Sequence, residues 1–131
     1  MATSKIPKYG HRDKATTTLT SSNFYNGFSA SEDGYVKYIV KSGICYVTIR
    51  KCQFTQAIAS TDQTIIDGLP SAPAGMNYYF ICKAAGSDTI FRGYVQTNTM
   101  KNLLTFSSSS DFLNKNIYAT FSYPVSDSWT T

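Results

Sequence analysis

The sequence predicts an all-β fold, an antiparallel β-sandwich with a jelly-roll-like form and seven or eight short strands. Short apolar-rich runs alternate with turn residues from Leu19 onward, and the clearest of these runs alternates its side chains with a period of two. Ten Tyr and eight Phe in 131 residues add rings that favour strands. Strong helix formers never cluster, so we expect fewer than about one residue in ten to be helical.

The clearest strand signal is a hairpin. Two β-rich runs, 35–41 and 44–54, flank Lys41-Ser42-Gly43, where Gly43 can take a positive φ. Because side chains alternate across a strand, the second run has two faces. One face carries Cys45, Val47 and Ile49, and the other carries Tyr46, Thr48, Arg50 and Cys52.

Five further runs give the remaining strands at near-even spacing. They are Thr64–Asp67, Asn77–Ala84, Thr89–Thr97, Asn102–Phe106 and Asn116–Tyr123. The breaks between them are rich in Gly, Pro, Ser and Asn, which favour turns. Such spacing is typical of a sandwich. A short turn near Asp111–Lys115 is the one helical segment expected, and Trp129 is expected to pin the end of the chain to the core.

The charge distribution divides the chain into a tail and a body. Residues 1–16 are polar and basic and are predicted to be an N-terminal tail or linker, followed by one β-sandwich domain over residues 17–131. The net charge of the protein is +4, and residues 1–14 contribute +3 of it. Because the remaining residues hold eight basic and seven acidic groups, the body lacks the basic patch of a nucleic-acid-binding protein. We therefore expect no nucleic-acid partner.

The three cysteines are predicted to be free. Cys45 and Cys52 lie seven residues apart in one extended run, which places them ~23 Å apart and on opposite faces, too far for a bridge. Either could pair with Cys82 only across neighbouring strands, so buried thiols in a reducing compartment are expected. No apolar run approaches the roughly 20 residues that span a bilayer, so no membrane insertion is expected.

Catalytic and metal-binding patterns are missing. The only histidine, His11, lies in the basic tail, and nearly all of the eight acidic residues neighbour Gly, Ser, Thr or Asn, as carboxylates in turns do. The sequence has no CxxC, HExxH or EF-hand spacing and no glycine-rich phosphate loop. We therefore predict no catalytic residue, no metal and no cofactor. A loop pair such as Asp88 with Asp111 keeps a small hydrolase open as a minor alternative.

The order of features from residue 33 to the end matches a known pattern. An extended hairpin (Gly34–Phe54) leads into a segment with Leu69-Pro70 and Pro73, followed by a strand pair and a final strand, Asn116–Pro124. This order resembles the C-terminal β-sandwich head domains of tail fibres and minor structural proteins of bacteriophages and prophages. The resemblance implies a virion protein of the phage tail, assembled in the host cytoplasm. It further implies a homotrimer that contacts other tail subunits and recognises a bacterial surface receptor, often a saccharide.

Two functions remain open, and both are binding functions. The first is a phage or prophage tail-associated structural or receptor-binding domain. The alternative is a monomeric carbohydrate-binding or adhesive β-sandwich module of a bacterial protein. Binding residues of sandwiches concentrate on loops at the sheet ends. The predicted ligand contacts are therefore Tyr25, Asn26, Arg92, Tyr94 and Asp111.

Overall fold

Strands form the framework of the molecule in the computed structural model, which describes residues 13–57, 61–86, 90–103 and 113–129. One turn of 3-10 helix at Ser21–Asn23 is the only helix in these residues. The expectation of a low helix content is thus confirmed for them. The strands are β1 Lys14–Thr18, β2 Phe28–Lys41, β3 Ile44–Phe54, β4 Thr64–Ile66, β5 Asn77–Lys83, β6 Ile90–Gln96, β7 Thr99–Asn102 and β8 Ile117–Pro124.

The strands pair into two antiparallel sheets. The first sheet has the order β1-β2-β3-β8 and the second has the order β4-β7-β6-β5. Each sheet is a three-stranded meander extended by one more strand, and the chain crosses between sheets after β3 and after β7. The predicted antiparallel β-sandwich is confirmed, with two meanders in place of the interleaved strands of a jelly roll.

The predicted hairpin joins β2 to β3. Ser42 and Gly43 both have positive φ, 52° and 79°, as the two central residues of a type I′ turn require. The predicted orientation of Cys52 is wrong, however. β3 carries a bulge between Ile49 and Cys52, with Lys51 at φ 50°. Because one extra residue reverses the alternation, Cys52 turns into the core on the same side as Cys45.

Two element boundaries differ from the sequence prediction. β7 occupies Thr99–Asn102, most of which was assigned to a break, because a tight turn at Thr97-Asn98 pairs β6 with β7 directly. Residues 104–106 of the predicted strand, and residues 111 and 112 of the predicted turn at Asp111–Lys115, lie outside the described residues; Asn114 is in a turn with φ 58°. β1 begins at Lys14, inside the predicted tail of residues 1–16, and pairs with β2.

Phenylalanine rings fill the space between the sheets. Phe28 packs on Phe54 with ring centroids 5.2 Å apart, and Phe54 packs on Phe91 at 5.5 Å. Phe80 of β5 stacks parallel to Phe121 of β8 at 4.3 Å, which joins the two sheets along one edge. This rigid interior fixes the two outer faces of the sandwich, where exposed side chains are available for binding.

The cysteines and the tryptophan follow the sequence prediction. All three cysteines are free thiols, with Cys45 and Cys52 buried and Cys82 half-buried. Trp129 is half-buried and packs against the core. The end of the described chain is thus attached to the sandwich by an apolar contact.

Candidate functional site

Two of the sequence-predicted site residues attach a loop to the second sheet. The Tyr25 hydroxyl donates to Asp67 Oδ2 at 2.6 Å, and Asn26 Nδ2 donates to the Thr64 carbonyl at 2.7 Å. Asn23 Nδ2 donates to the other carboxylate oxygen of Asp67 at 2.9 Å. One polar atom of each of Tyr25 and Asn26 therefore helps to hold the segment before β2 against β4.

Two more predicted residues share the outer face of the second sheet. Arg92 is exposed, whereas Tyr94 is only 6% exposed and its ring packs 5.4 Å from Tyr79. The Tyr94 hydroxyl donates to Asp62 Oδ1 at 2.7 Å, and burial together with this bond raises the pKa of Tyr94 to about 12. Tyr94 therefore supports this face, and Arg92 remains available to a ligand.

The structure does not bring the predicted set together. Tyr25 and Asn26 contact β4 or the residue after it, whereas Arg92 and Tyr94 stand on β6, with β7 between the two strands. Asp111 lies outside the described residues. The set stays a prediction, and the outer face of the first sheet offers a more continuous arrangement of binding side chains.

That outer face presents side chains of β2, β3 and β8 in three rows. Strand pairing sets Lys37 opposite Thr48 and Thr48 opposite Thr120 in the middle row. Tyr46 faces Ser122 in one flanking row, and Tyr35 faces Arg50 in the other. We call this surface the first-sheet face, and it consists of Tyr35, Lys37, Ile39, Tyr46, Thr48, Arg50, Tyr118, Thr120 and Ser122.

Strand alternation explains the chemistry of the first-sheet face. Cys45, Val47 and Ile49 of β3 point into the core, so the residues between them point outward. The outward tyrosines are large rings in contact with solvent, with Tyr46 48% and Tyr118 43% exposed. Two exposed rings on one sheet face offer flat apolar surface to a binding partner.

Three shallow depressions meet at Thr48, near the centre of the first-sheet face. One of about 160 Å³ lies beside Tyr35 and Tyr46, one of about 370 Å³ lies beside Arg50 and Tyr118, and one of about 450 Å³ continues along β8. At ~3.3 Å per residue, Tyr46 and Arg50 are ~13 Å apart along β3. The face is therefore an open groove suited to an extended ligand, and it is too shallow to enclose a small molecule.

The charge on the first-sheet face is basic. Lys37 Nζ lies 4.1 Å from the centre of the Tyr35 ring, a cation–π contact. Arg50 is exposed and forms no ion pair within the part of the chain that the structure describes. Glu32 and Asp33, the acidic residues closest to Lys37 along the chain, are exposed within β2, at the irregularity in its pairing with β3 that lies opposite Lys51.

The sequence contained a signal for this face that the site prediction did not use. The alternation of the hairpin had already separated Tyr46, Thr48 and Arg50 from the core side of β3. Their neighbours on β8, Tyr118 and Thr120, could not be placed beside them, because the pairing of β3 with β8 joins residues about 70 positions apart.

Comparisons with known proteins give no relative: no family model, curated protein or solved structure matches this chain. Within the described residues, no helix is long and apolar enough to cross a membrane. The same residues contain no group of three or more His, Cys, Asp or Glu side chains that could hold a metal ion.

Proposed function

We propose that this protein is a tail-associated receptor-binding or structural domain of a phage or prophage, and that it recognises a saccharide on a bacterial surface. The observation that carries the binding role is the first-sheet face, where two exposed tyrosine rings flank a line of hydroxyl groups. The tail assignment rests on the resemblance of the strand order and of Leu69-Pro70 with Pro73.

The side chains of the first-sheet face match the two kinds of surface on a sugar. The C–H face of a pyranose ring stacks on an aromatic ring, and Tyr46 and Tyr118 offer such rings. Sugar hydroxyls exchange hydrogen bonds with side-chain hydroxyls, which Thr48 and Thr120 supply between the two rings. Because paired strands hold these groups, binding requires little ordering of the protein.

The second sheet offers an apolar surface for the proposed assembly, which comprises a homotrimer and contacts with other tail subunits. Its edge strand β5 exposes two large apolar side chains, Tyr79 at 64% and Ile81 at 66%. Exposed apolar groups of this size favour burial against another subunit, which would leave the first-sheet face open to the host. Light scattering tests this: a trimer mass supports the tail assembly, and a monomer mass favours the alternative of a stand-alone carbohydrate-binding module.

Substitutions on and off the first-sheet face test the saccharide site. We expect Tyr46→Ala and Tyr118→Ala each to weaken binding to an array of bacterial surface oligosaccharides by about tenfold or more, because each removes a stacking surface. Met76→Ala is the control, since it removes a similarly exposed apolar side chain (50%) from outside the first-sheet face. Unchanged binding in both first-sheet variants, or an equal loss in the control, would contradict the proposal.

A further inference from the structure

We infer that the saccharide carries negative charge, and that Arg50 with Lys37 recognises its carboxylate or phosphate groups. The inference rests on the proposed function and narrows its ligand to anionic saccharides. It depends on three features of the first-sheet face: the position of Arg50, the bulge that holds it, and the local excess of cations.

Arg50 lies between two aromatic side chains. It is directly opposite Tyr35 on β2, and the same depression is lined by Tyr118 of β8. A guanidinium group binds a carboxylate or phosphate through two parallel N–H donors, and neighbouring rings provide a stacking surface for the sugar that carries the anion. Because Arg50 has no ion pair in the described part of the chain, its donors are available to such a group.

The β3 bulge keeps Arg50 and Lys51 together between two buried residues. Ile49 and Cys52 both enter the core, so the bulge places two consecutive basic residues between inward-facing positions. The backbone is held from β2, where the Ser31 hydroxyl donates to the Lys51 carbonyl at 2.6 Å. Bulges next to binding sites commonly redirect a side chain, and this one presents Arg50 on a fixed backbone.

Lys37 supplies the second cation of the first-sheet face. Its ammonium group lies over the Tyr35 ring, in the row next to Arg50. Glu32 and Asp33 lie beside the bulge in β2, and no ion pair joins them to either cation in the described residues. Two cations that form no ion pair attract an anionic ligand and disfavour other cations.

A single-stranded nucleic acid also combines rings and phosphates, but the observations favour a saccharide. Nucleic-acid grooves carry a track of cations along the backbone path. The first-sheet face instead continues from its two cations into the hydroxyls of Thr48, Thr120 and Ser122. Outside the first 14 residues the chain has eight basic and seven acidic groups, a balance that leaves little general attraction for nucleic acid.

The test compares two ligands with the same sugar chain, one anionic and one neutral. Oligogalacturonate and its methyl ester are titrated into the full chain labelled with 15N, and backbone amide shifts report both the affinity and the face that binds. We expect the acid to shift amides of β2, β3 and β8, and to bind at least about tenfold more tightly than the ester. Binding of the acid should weaken as salt is raised, because exposed charges are screened.

Arginine variants on the two faces complete the test. Arg50→Gln should lower the affinity for the acid about tenfold and leave the affinity for the ester unchanged. Arg92→Gln, the same change in the sequence-predicted site on the second sheet, should alter neither, and a tenfold loss there instead would overturn the inference in favour of that site. An intact amide spectrum in both variants shows that the fold is retained.

The outcomes separate this inference from the proposed function. Equal binding of acid and ester at the first-sheet face would overturn the charge inference and leave the saccharide proposal standing. No amide shifts with the acid at millimolar concentration would also overturn it, and the oligosaccharide array then decides the saccharide proposal independently. Tighter binding of single-stranded oligothymidylate than of the acid would overturn it in favour of a nucleic-acid ligand.

Discussion

Replacing Gly34 by alanine tests whether the bulge opposite Arg50 depends on this one residue. A Cβ atom at Gly34 would overlap the Lys51 carbonyl oxygen. It would also lie 2.9 Å from the Ser31 carbonyl oxygen and 3.0 Å from that of Arg50. All three neighbours are backbone atoms, so a side-chain rotation cannot relieve the overlap and the pairing of β2 with β3 has to shift.

The expected loss follows from the overpacking of a tightly packed site. Forced backbone shifts of this kind destabilise by about 1–3 kcal/mol, and with three backbone neighbours we expect the upper half of that range. For a chain of this length the melting temperature should fall by about 6–15 °C. Because Arg50 moves with the bulge, affinity for an anionic saccharide should fall as well.

Gly75 provides a matched control for this substitution. It has φ 78°, and a Cβ there would meet nothing within 4 Å. Gly75→Ala should therefore lose only about 1 kcal/mol, from left-handed backbone strain. Calorimetry and circular dichroism melts compare the two variants. If Gly34→Ala is no less stable than Gly75→Ala, the reasoning from backbone contact is refuted.

Two further predictions concern groups whose titration is altered by burial. Burial raises the pKa of Cys45 and Cys82 to about 11 and that of Cys52 to about 12. At pH 8 a thiol reagent should therefore react slowly with the native protein, and it should titrate three thiols after unfolding. One reactive thiol after unfolding would instead mean that a disulfide had formed. Burial and the bond to Asp62 raise the pKa of Tyr94 from 10 to about 12, so the native state retains this proton more strongly than the unfolded chain. The stabilisation that this proton gives the native state should be complete below pH 10 and disappear as the pH rises toward 12. Urea unfolding at pH 9 and pH 11 should therefore show a smaller loss of unfolding free energy between the two pH values for Tyr94→Phe than for the unsubstituted protein. An equal loss in the two proteins would contradict the assignment of the raised pKa to Tyr94.

Several features of the molecule could be predicted because their causes are local. The Ser42-Gly43 turn depends on two adjacent residues that accept positive φ, and the hairpin around it follows from side chains that alternate with a period of two. The same alternation identified the outward side chains of β3. Short-range turn chemistry and the strand repeat are encoded within a few residues, so the sequence alone determined the all-β class and this hairpin.

Other features depended on contacts between distant residues, and only the tertiary structure decided them. Cys52 enters the core because the pairing of β2 with β3 is irregular next to it. The alternation of side chains along β3 alone could not predict this irregularity. The Tyr25 hydroxyl bonds to Asp67, 42 residues further along the chain, a partner that no local pattern indicates.

The composition of the first-sheet face was decided in the same way. β8 completes that face beside β3, although nearly half of the chain lies between the two strands. Sheet partners and hydrogen-bond partners depend on the packing of the whole chain, so they cannot be predicted from a pattern that spans only one strand.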